Sequence, residues 1–243
     1  MLRITADYHT HTRFSHGKGD IEDNVLAAIR IGLKTVAISD HGYGHMGFGI
    51  RKADLPLMKE KIVMLRGRYP EIEILLGMEA NILDPDGSLD VDDEDLAYLD
   101  ILLAGYHFGS VPKGWSGLKF HGANFAVRAG FDGATALELN TQAFCNAMVR
   151  YPVRILTHPG AKGPVDIRRI AEVALQQNVW LEINSHHGFL TLEQIQEAGA
   201  FGTKFVISSD AHRPQDVGQC DAGLSRALKA GLGLDQLVNC RLE

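Results

Sequence analysis

Cysteine is scarce in this chain of 243 residues: Cys145, Cys220 and Cys240 are few, odd in number and far apart. That argues against a disulfide framework, and no CxxC pair offers a thiolate metal site. No run approaches the roughly 20 apolar residues that a membrane helix needs. No cationic block occurs, and the net charge of −6 argues against a non-specific nucleic-acid surface. It leaves room for an anionic small substrate, because a metal site supplies a positive field locally. No G-x-G-x-x-G or P-loop follows a strand-like run. The start MLRITADYH has no charged-then-apolar leader, so a cytoplasmic protein is expected. Nothing divides the chain by linker or low complexity. One domain over 1–243 is expected, with 45% hydrophobic residues to fill its core. The last two residues, Leu242-Glu243, have the look of a cloning scar and are set aside.

Short apolar runs alternate with helical patterns. The strand candidates are Ile4–His9, Thr35–Ser39, Glu73–Ala80, Ile101–His107, Arg154–His158, Trp180–Asn184 and Lys204–Ser209. Continuous apolar runs of this length suit strands buried on both faces. Between them, DIEDNVLAAIRIG offers Asp20 as N-cap, an Ile21/Val25/Ala28/Ile29 stripe and Gly32 as a stop. DIRRIAEVALQQN repeats the pattern behind Asp166, and TLEQIQEAG carries the Thr191/Gln194 capping-box pair. Leu55–Arg68 and Ala134–Val149 also read as helices. Alternating β and α elements imply a parallel sheet with helices outside it. Seven such strands favour a βα-barrel over an open doubly wound sheet.

In a βα-barrel the chemistry collects at the C-terminal ends of the strands. The chain has 11 His, and YHTHTRFSH places His9, His11 and His16 within eight positions of the first strand's end. The second strand ends ISDH with His41, the third GMEAN with Glu79, and the fourth AGYH with His107. The fifth ends LTHPG with His158, and the seventh SSDAH with Asp210 and His212. Only the sixth, LEIN, lacks an obvious ligand. Each residue alone has a plain structural reading as a hydrogen-bonded loop histidine or a helix cap. Together, nine imidazoles and carboxylates at one rim would be costly to desolvate without cations. Nine ligands also exceed the four that one tetrahedral ion uses, so two or three ions are expected. Imidazole-plus-carboxylate sites suit Zn, Mn and Fe alike.

The ordered set HTH, His16, SDHG, GMEAN, GYH, THPG and SSDAH resembles the motifs of the PHP (polymerase and histidinol phosphatase) superfamily, from about Asp7 to Asn239. It is most similar to the stand-alone PHP phosphoesterases with three metal ions. The resemblance implies a distorted seven-stranded (β/α)7 barrel, TIM-barrel-like, and three divalent ions. It implies one ion on His9, His11, Glu79 and Asp210, and a second on Glu79, His107 and His158. A third falls on His16, His41 and His212. The chain stops at NCRLE, where relatives often continue into a further helix.

Such a site suits phosphate ester hydrolysis of a small molecule. Two ions about 3.5–4 Å apart hold a bridging hydroxide of lowered pKa for in-line attack, and a third ion neutralises developing charge. Glu79, as the bridge, and Asp210, as the first candidate for handling the leaving group's proton, are the expected catalytic residues. Arg13, Arg51, Lys162 and Arg213 are the expected substrate contacts. Further candidates lie in the loops read as GYGHMGFGIRK (His45) and GSVPKGWSGLKFHG (Lys113, Trp115, Lys119, His121), and at His186 and His187. Four other readings stay open: a PHP-type 3'-5' exonuclease, a histidinol phosphatase, an amidohydrolase-like use of the centre, and a non-catalytic metal-binding scaffold. The acidic balance counts against nucleic acid, and a membrane partner is not expected. Oligomeric state is not legible.

Overall fold

The computed structural model describes residues 2–242. Seven parallel strands follow one another in spatial order as they do in sequence. They are β2 (Ala6–Asp7), β3 (Thr35–Ile38), β4 (Glu73–Asn81), β5 (Ile101–Gly105), β6 (Ile155–Leu156), β7 (Trp180–Asn184) and β8 (Phe205–Ser208). The sheet curls until its last strand meets its first only at the C-terminal rim. There Thr10 bridges Ala211, His11 N–H donates to the Ala211 carbonyl (2.8 Å) and Ala211 N–H to the His9 carbonyl (3.2 Å). The result is a nearly closed, distorted barrel, as expected from the seven strand-like runs.

The first expected strand is in fact broken. Leu2–Ile4 forms β1, which leaves the barrel to pair antiparallel with β9 (Cys240–Leu242). The break is held by Asn239. Its carbonyl accepts the Thr5 N–H (2.8 Å), and its carboxamide donates to the carbonyls of Ala6 and Ile207, both at 2.7 Å. Asn239 therefore joins the barrel's two edge strands where their own ladder is missing. Leu242 belongs to this two-stranded ribbon, opposite Leu2. Glu243 lies outside the described residues.

The helices wrap the outside: α1 (Ile21–Arg30), α2 (Asp54–Arg68), α3 (Asp93–Leu96), α4 (Gly114–Arg128), α5 (Ala134–Arg150), α6 (Ile167–Gln177), α7 (Leu192–Gly199) and α8 (Asp221–Lys229). The caps read from sequence are present. Asp20 and Thr191 each complete a capping box, and Asp166 accepts the N–H groups of Arg168 and Arg169. Three helices were not legible. The stretch GSVPKGWSGLKFHG, expected as a rim loop, is mostly α4, which buries Gly117, Phe120, His121 and Asn124 at helical spacing. The helix α3 is a single turn of four residues, and α8 is short and starts behind Cys220 with no capping side chain to announce it.

Two apolar layers hold the barrel. Inside its lower half, Ala37, Ile101, Leu103, Ile155 and Val206 pack with Tyr8, Leu75 and Trp180. Outside, residues such as Ile38, Met78, Leu102, Ile183 and Ile207 pack in one larger core that takes in the helices. Alternation along each strand then places Glu79 two and four residues beyond Gly77 and Leu75, and Glu182 two beyond Trp180, on the inner face at the upper rim. Among the described residues no helix is long and apolar enough to cross a membrane.

Candidate metal centre

At the upper rim, Glu79 sits fully buried in a ring of imidazoles. Its Oε1 lies 2.9 Å from His158 Nε2 and 3.2 Å from His107 Nε2; its Oε2 lies 3.2 Å from His9 Nε2 and 2.8 Å from His41 Nδ1. Asp210 Oδ1 faces His11 Nε2 at 3.2 Å and His9 Nε2 at 3.6 Å, and the two Nε2 atoms of His9 and His11 are 3.1 Å apart. A tetrahedral ion with ligands at about 2.0–2.1 Å has donor–donor edges of about 3.3 Å. These spacings match that edge. Among the described residues, four triplets bring their donor atoms within 4.8 Å of one another: His9/His11/Glu79, His9/His158/Asp210, His41/Glu79/His107 and His11/His41/His212. His16 stands beside them, its ring 4.2 Å from that of His212 and 4.9 Å from that of His41. All nine sequence-predicted ligands thus converge on one rim. His41 leans on Glu79 rather than grouping with His16 and His212 alone.

The buried atoms at the centre are short of partners. His11 Nδ1, His16 Nδ1, His41 Nδ1 and Glu79 Oε2 are enclosed and make no hydrogen bond, even though His41 Nδ1 and Glu79 Oε2 approach closely. Leaving such groups unpaired costs about 1–3 kcal/mol each. A set of imidazole and carboxylate donors oriented this way fits divalent transition-metal ions.

Behind the donors, a second layer of polar groups fixes which nitrogen points inward on the rings of His9, His107 and His212. Glu182, on β7, accepts from His9 Nδ1 (2.7 Å) and from the His158 N–H (2.8 Å). Asn81 Oδ1 accepts from His107 Nδ1 at 2.9 Å. The Asp210 carbonyl accepts from His212 Nδ1 at 2.9 Å. Asp40 receives the Thr12 N–H and hydroxyl, both at 2.7 Å, and the Ser15 hydroxyl, which shapes the turn carrying His16. Asn184 donates to Asp210 Oδ2 and to Glu182 Oε2, each at 3.1 Å. Two candidate ligands sit in the left-handed region that disfavours side chains: His158 at φ 28° and Asp210 at φ 55°. These contacts offset that strain.

Electrostatics divide the ligands. Burial pushes the Glu79 carboxyl up, but His107, His9 and His41 together outweigh it and hold it well below the usual carboxylate range. Burial acts likewise on Asp210, and His9 and His11 overcome it. Burial pulls His107 down to about 3, and burial with His212 and His41 pulls His16 down to about 4. Both rings are therefore neutral at pH 7, as ligation requires. His9 behaves oppositely: burial lowers it, but Glu79, Glu182 and Asp210 raise it well above the ordinary histidine value.

The centre opens into a cavity of about 550 Å³. Lys162 and Arg213 line it, together with Arg128 near the end of α4, and among the described residues none of the three is ion-paired. The Arg128 guanidinium lies over the Phe108 ring, 5.2 Å from its centre. Arg13 and Arg51 are elsewhere: Arg13 pairs with Asp20 (2.8 Å), and Arg51 makes a two-pronged contact with Asp54 (2.8 and 2.6 Å) at the start of α2. His45 lines the cavity, but its ring is engaged by the Phe108 carbonyl (3.0 Å) and by the Gly47 and Phe48 N–H groups. Lys113 bonds Ser88 (3.1 Å), Trp115 and Lys119 are exposed on α4, and His121 is buried against Tyr106. His186 and His187 both line the cavity, with His187 Nε2 3.4 Å from Asp210 Oδ2.

The family model of the PHP domain matches residues 7–186. The chain belongs to the PHP family. A protein named a probable phosphatase from Caldanaerobacter subterraneus subsp. tengcongensis is 32% identical over 240 residues, covering 92% of this chain and 82% of that relative. The DNA polymerase/3'-5' exonuclease PolX of Bacillus subtilis is 27% identical over 249 residues, which span 98% of this chain but 40% of that protein. The PHP fold is shared with the histidinol phosphate phosphatase of Lactococcus lactis, solved with zinc, L-histidinol and phosphate. It superposes with a TM-score of 0.64 at 16% identity, over 94% of each chain.

Three features of this PHP site were not read from sequence. Glu182 sits on the sixth barrel strand, expected to lack an obvious ligand, and a lone acid inside WLEIN is a readable signal, since an unpaired buried charge is costly. Asn81 was visible in GMEAN but carries no distinctive spacing. Arg128 lies at the end of α4, past the expected loop GSVPKGWSGLKFHG, where no sequence signal marks it.

Proposed function

We propose that this PHP protein is a metal-dependent phosphoester hydrolase acting on a small phosphorylated molecule. The observation that carries the reading is the pairing of two features in one cavity. Imidazole and carboxylate donors group within 4.8 Å of one another, several buried donors lack a partner, and three cations without an ion pair among the described residues line the same cavity. His9, His11, His107, His158, Glu79 and Asp210 would hold a bridged pair of ions, with Glu79 touching both. His16, His41 and His212 would hold a third. Zinc, manganese or iron bound there supplies Lewis acidity and an acidified water.

The chain's own groups do the rest. Lys162, Arg213 and Arg128 attract the phosphate and orient it toward the ligand cluster. Glu79 and Asp210, held in their ionised forms, keep negative charge where cations are needed. Asp210, expected to handle the leaving group's proton, is held ionised by its lowered pKa and would be a poor donor at neutral pH. Phe48 and Phe108 wall the cavity and limit water around the reacting groups. A volume of about 550 Å³ suits a small molecule.

Metal-reconstituted protein screened against phosphomonoesters and phosphodiesters tests the reading. Turnover of a small phosphomonoester, lost on chelation and restored by zinc or manganese, is expected. Chelator-insensitive turnover, or turnover confined to polynucleotides, would overturn it.

A further inference from the structure

Asp90 lies outside both the ligand set and the cavity wall, yet a chain of hydrogen bonds leads from it to the centre. It is buried on the segment that follows β4. Its Oδ1 accepts the Asn81 N–H at 2.6 Å; its Oδ2 accepts Asn81 Nδ2 at 2.6 Å and the Gly44 N–H at 2.7 Å. Two of these partners are backbone amides that can only donate, so the acceptor-only carboxylate satisfies all three. Burial pushes the Asp90 carboxyl up, and the same three donors counter it.

With its nitrogen held by Asp90, the Asn81 carboxamide turns its oxygen the other way. That oxygen lies 2.9 Å from His107 Nδ1 and 3.1 Å from the Ser110 hydroxyl. A carboxamide oxygen cannot donate, so the His107 proton must sit on Nδ1. The lone pair is then on Nε2, which faces Glu79 Oε1 at 3.2 Å and His158 Nε2 at 3.4 Å. The packing around Asp90 is equally tight. A Cβ built on Gly42 would fall 2.4 Å from either carboxylate oxygen, and one on Gly44 would fall 2.8 Å from Oδ2. Gly42 follows His41 directly and Gly44 comes two residues later, so the same carboxylate also secures the loop that leaves that candidate ligand.

We propose that Asp90 is a positioning residue for the metal centre: it locks the Asn81 carboxamide, fixes His107 as the Nδ1–H tautomer, and anchors the backbone after His41. The proposal rests on the reading of His107 and His41 as ligands, but not on the reaction.

The test uses the full chain, metal-free and ¹⁵N-labelled, with long-range ¹H–¹⁵N spectra to report the His107 tautomer and zinc titration to report affinity. Wild type should show Nδ1–H at His107. Asp90→Ala should lose the single tautomer and weaken zinc binding about 10–100-fold, the range expected when a group behind a ligand is removed. Asp90→Asn keeps the shape and one acceptor, and should fall between the two. An Nε2–H tautomer in the wild type would overturn the proposal. So would a folded Asp90→Ala that keeps both tautomer and zinc affinity. If Asp90→Ala does not fold, the wild-type tautomer and the zinc affinity of Asp90→Asn decide: unchanged affinity in the latter counts against the proposal. Failure of phosphoester hydrolysis would leave the tautomer and zinc results untouched, so the two readings fail separately.

Discussion

Replacing Glu79 by Gln removes one charge at the point where four imidazoles meet, while keeping the side chain's volume. Four ring nitrogens lie between 2.8 and 3.2 Å from its two oxygens, in a setting with no solvent exposure. At an effective dielectric of about 20, one unit charge about 4 Å from another is worth about 4 kcal/mol. Every 1.4 kcal/mol is tenfold in affinity, so the loss corresponds to about 10³-fold weaker binding of the ions Glu79 is proposed to bridge. The fold should survive, because the Thr157 hydroxyl, 2.8 Å from Oε1, can still donate to the amide oxygen. The assay pairs elemental analysis after gel filtration with kcat/KM for the best phosphomonoester. Metal content should drop and kcat/KM should fall by several orders of magnitude, with far-UV circular dichroism unchanged. A folded Glu79→Gln that keeps its metal and turns over at near wild-type rates would refute the bridging role.

Glu182→Gln should behave as a milder version: its amide must set an N–H against either the His9 ring or the His158 N–H, and zinc affinity should fall about 10–100-fold, checked by calorimetric titration. Arg128→Met should raise KM for a phosphomonoester with kcat nearly unchanged, since it removes a charge at the cavity wall and no ligand; an equal fall in kcat would place Arg128 in the chemical step. Acidity gives a third check, on metal-free protein. His107 and His16 are held near 3 and 4, below the unfolded value of about 6.5, so the unfolded chain binds more protons in that interval. The stability they contribute is present above pH 6.5 and is lost as pH falls toward 4. His9 and His158 are raised by neighbouring carboxylates against the pull of burial, so their contribution is full below pH 6.5 and fades as pH rises. Thermal midpoints should therefore peak near pH 6.5 and decline on both sides; a midpoint flat from pH 5 to 8 would contradict these directions.

The parts of this protein that were legible in its sequence are those governed by local rules. Buried parallel strands read as apolar runs, Asp20, Asp166 and Thr191 announce their helices, and the candidate ligands fall where strands end. What was not legible depends on approach in space. The break after Ile4 exists because Asn239, more than 230 residues away, bonds both edge strands. Helix α4 is stabilised by burial of Phe120 and His121 rather than by propensity. Glu182 and Asp90 act through other side chains, and their partners are set by the closed barrel, not by spacing along the chain. The placement of Arg13 against Asp20 and Arg51 against Asp54 has the same origin: each guanidinium pairs with a carboxylate at the start of a helix, whereas among the described residues Lys162 and Arg213 do not.

The most direct test is a titration of metal-free protein with zinc or manganese, following bound metal and phosphomonoester turnover in the same samples. The account predicts no turnover without metal, and turnover that rises until about three ions are bound per chain. Full activity in the metal-free protein, or activity that saturates at a single ion, would contradict it.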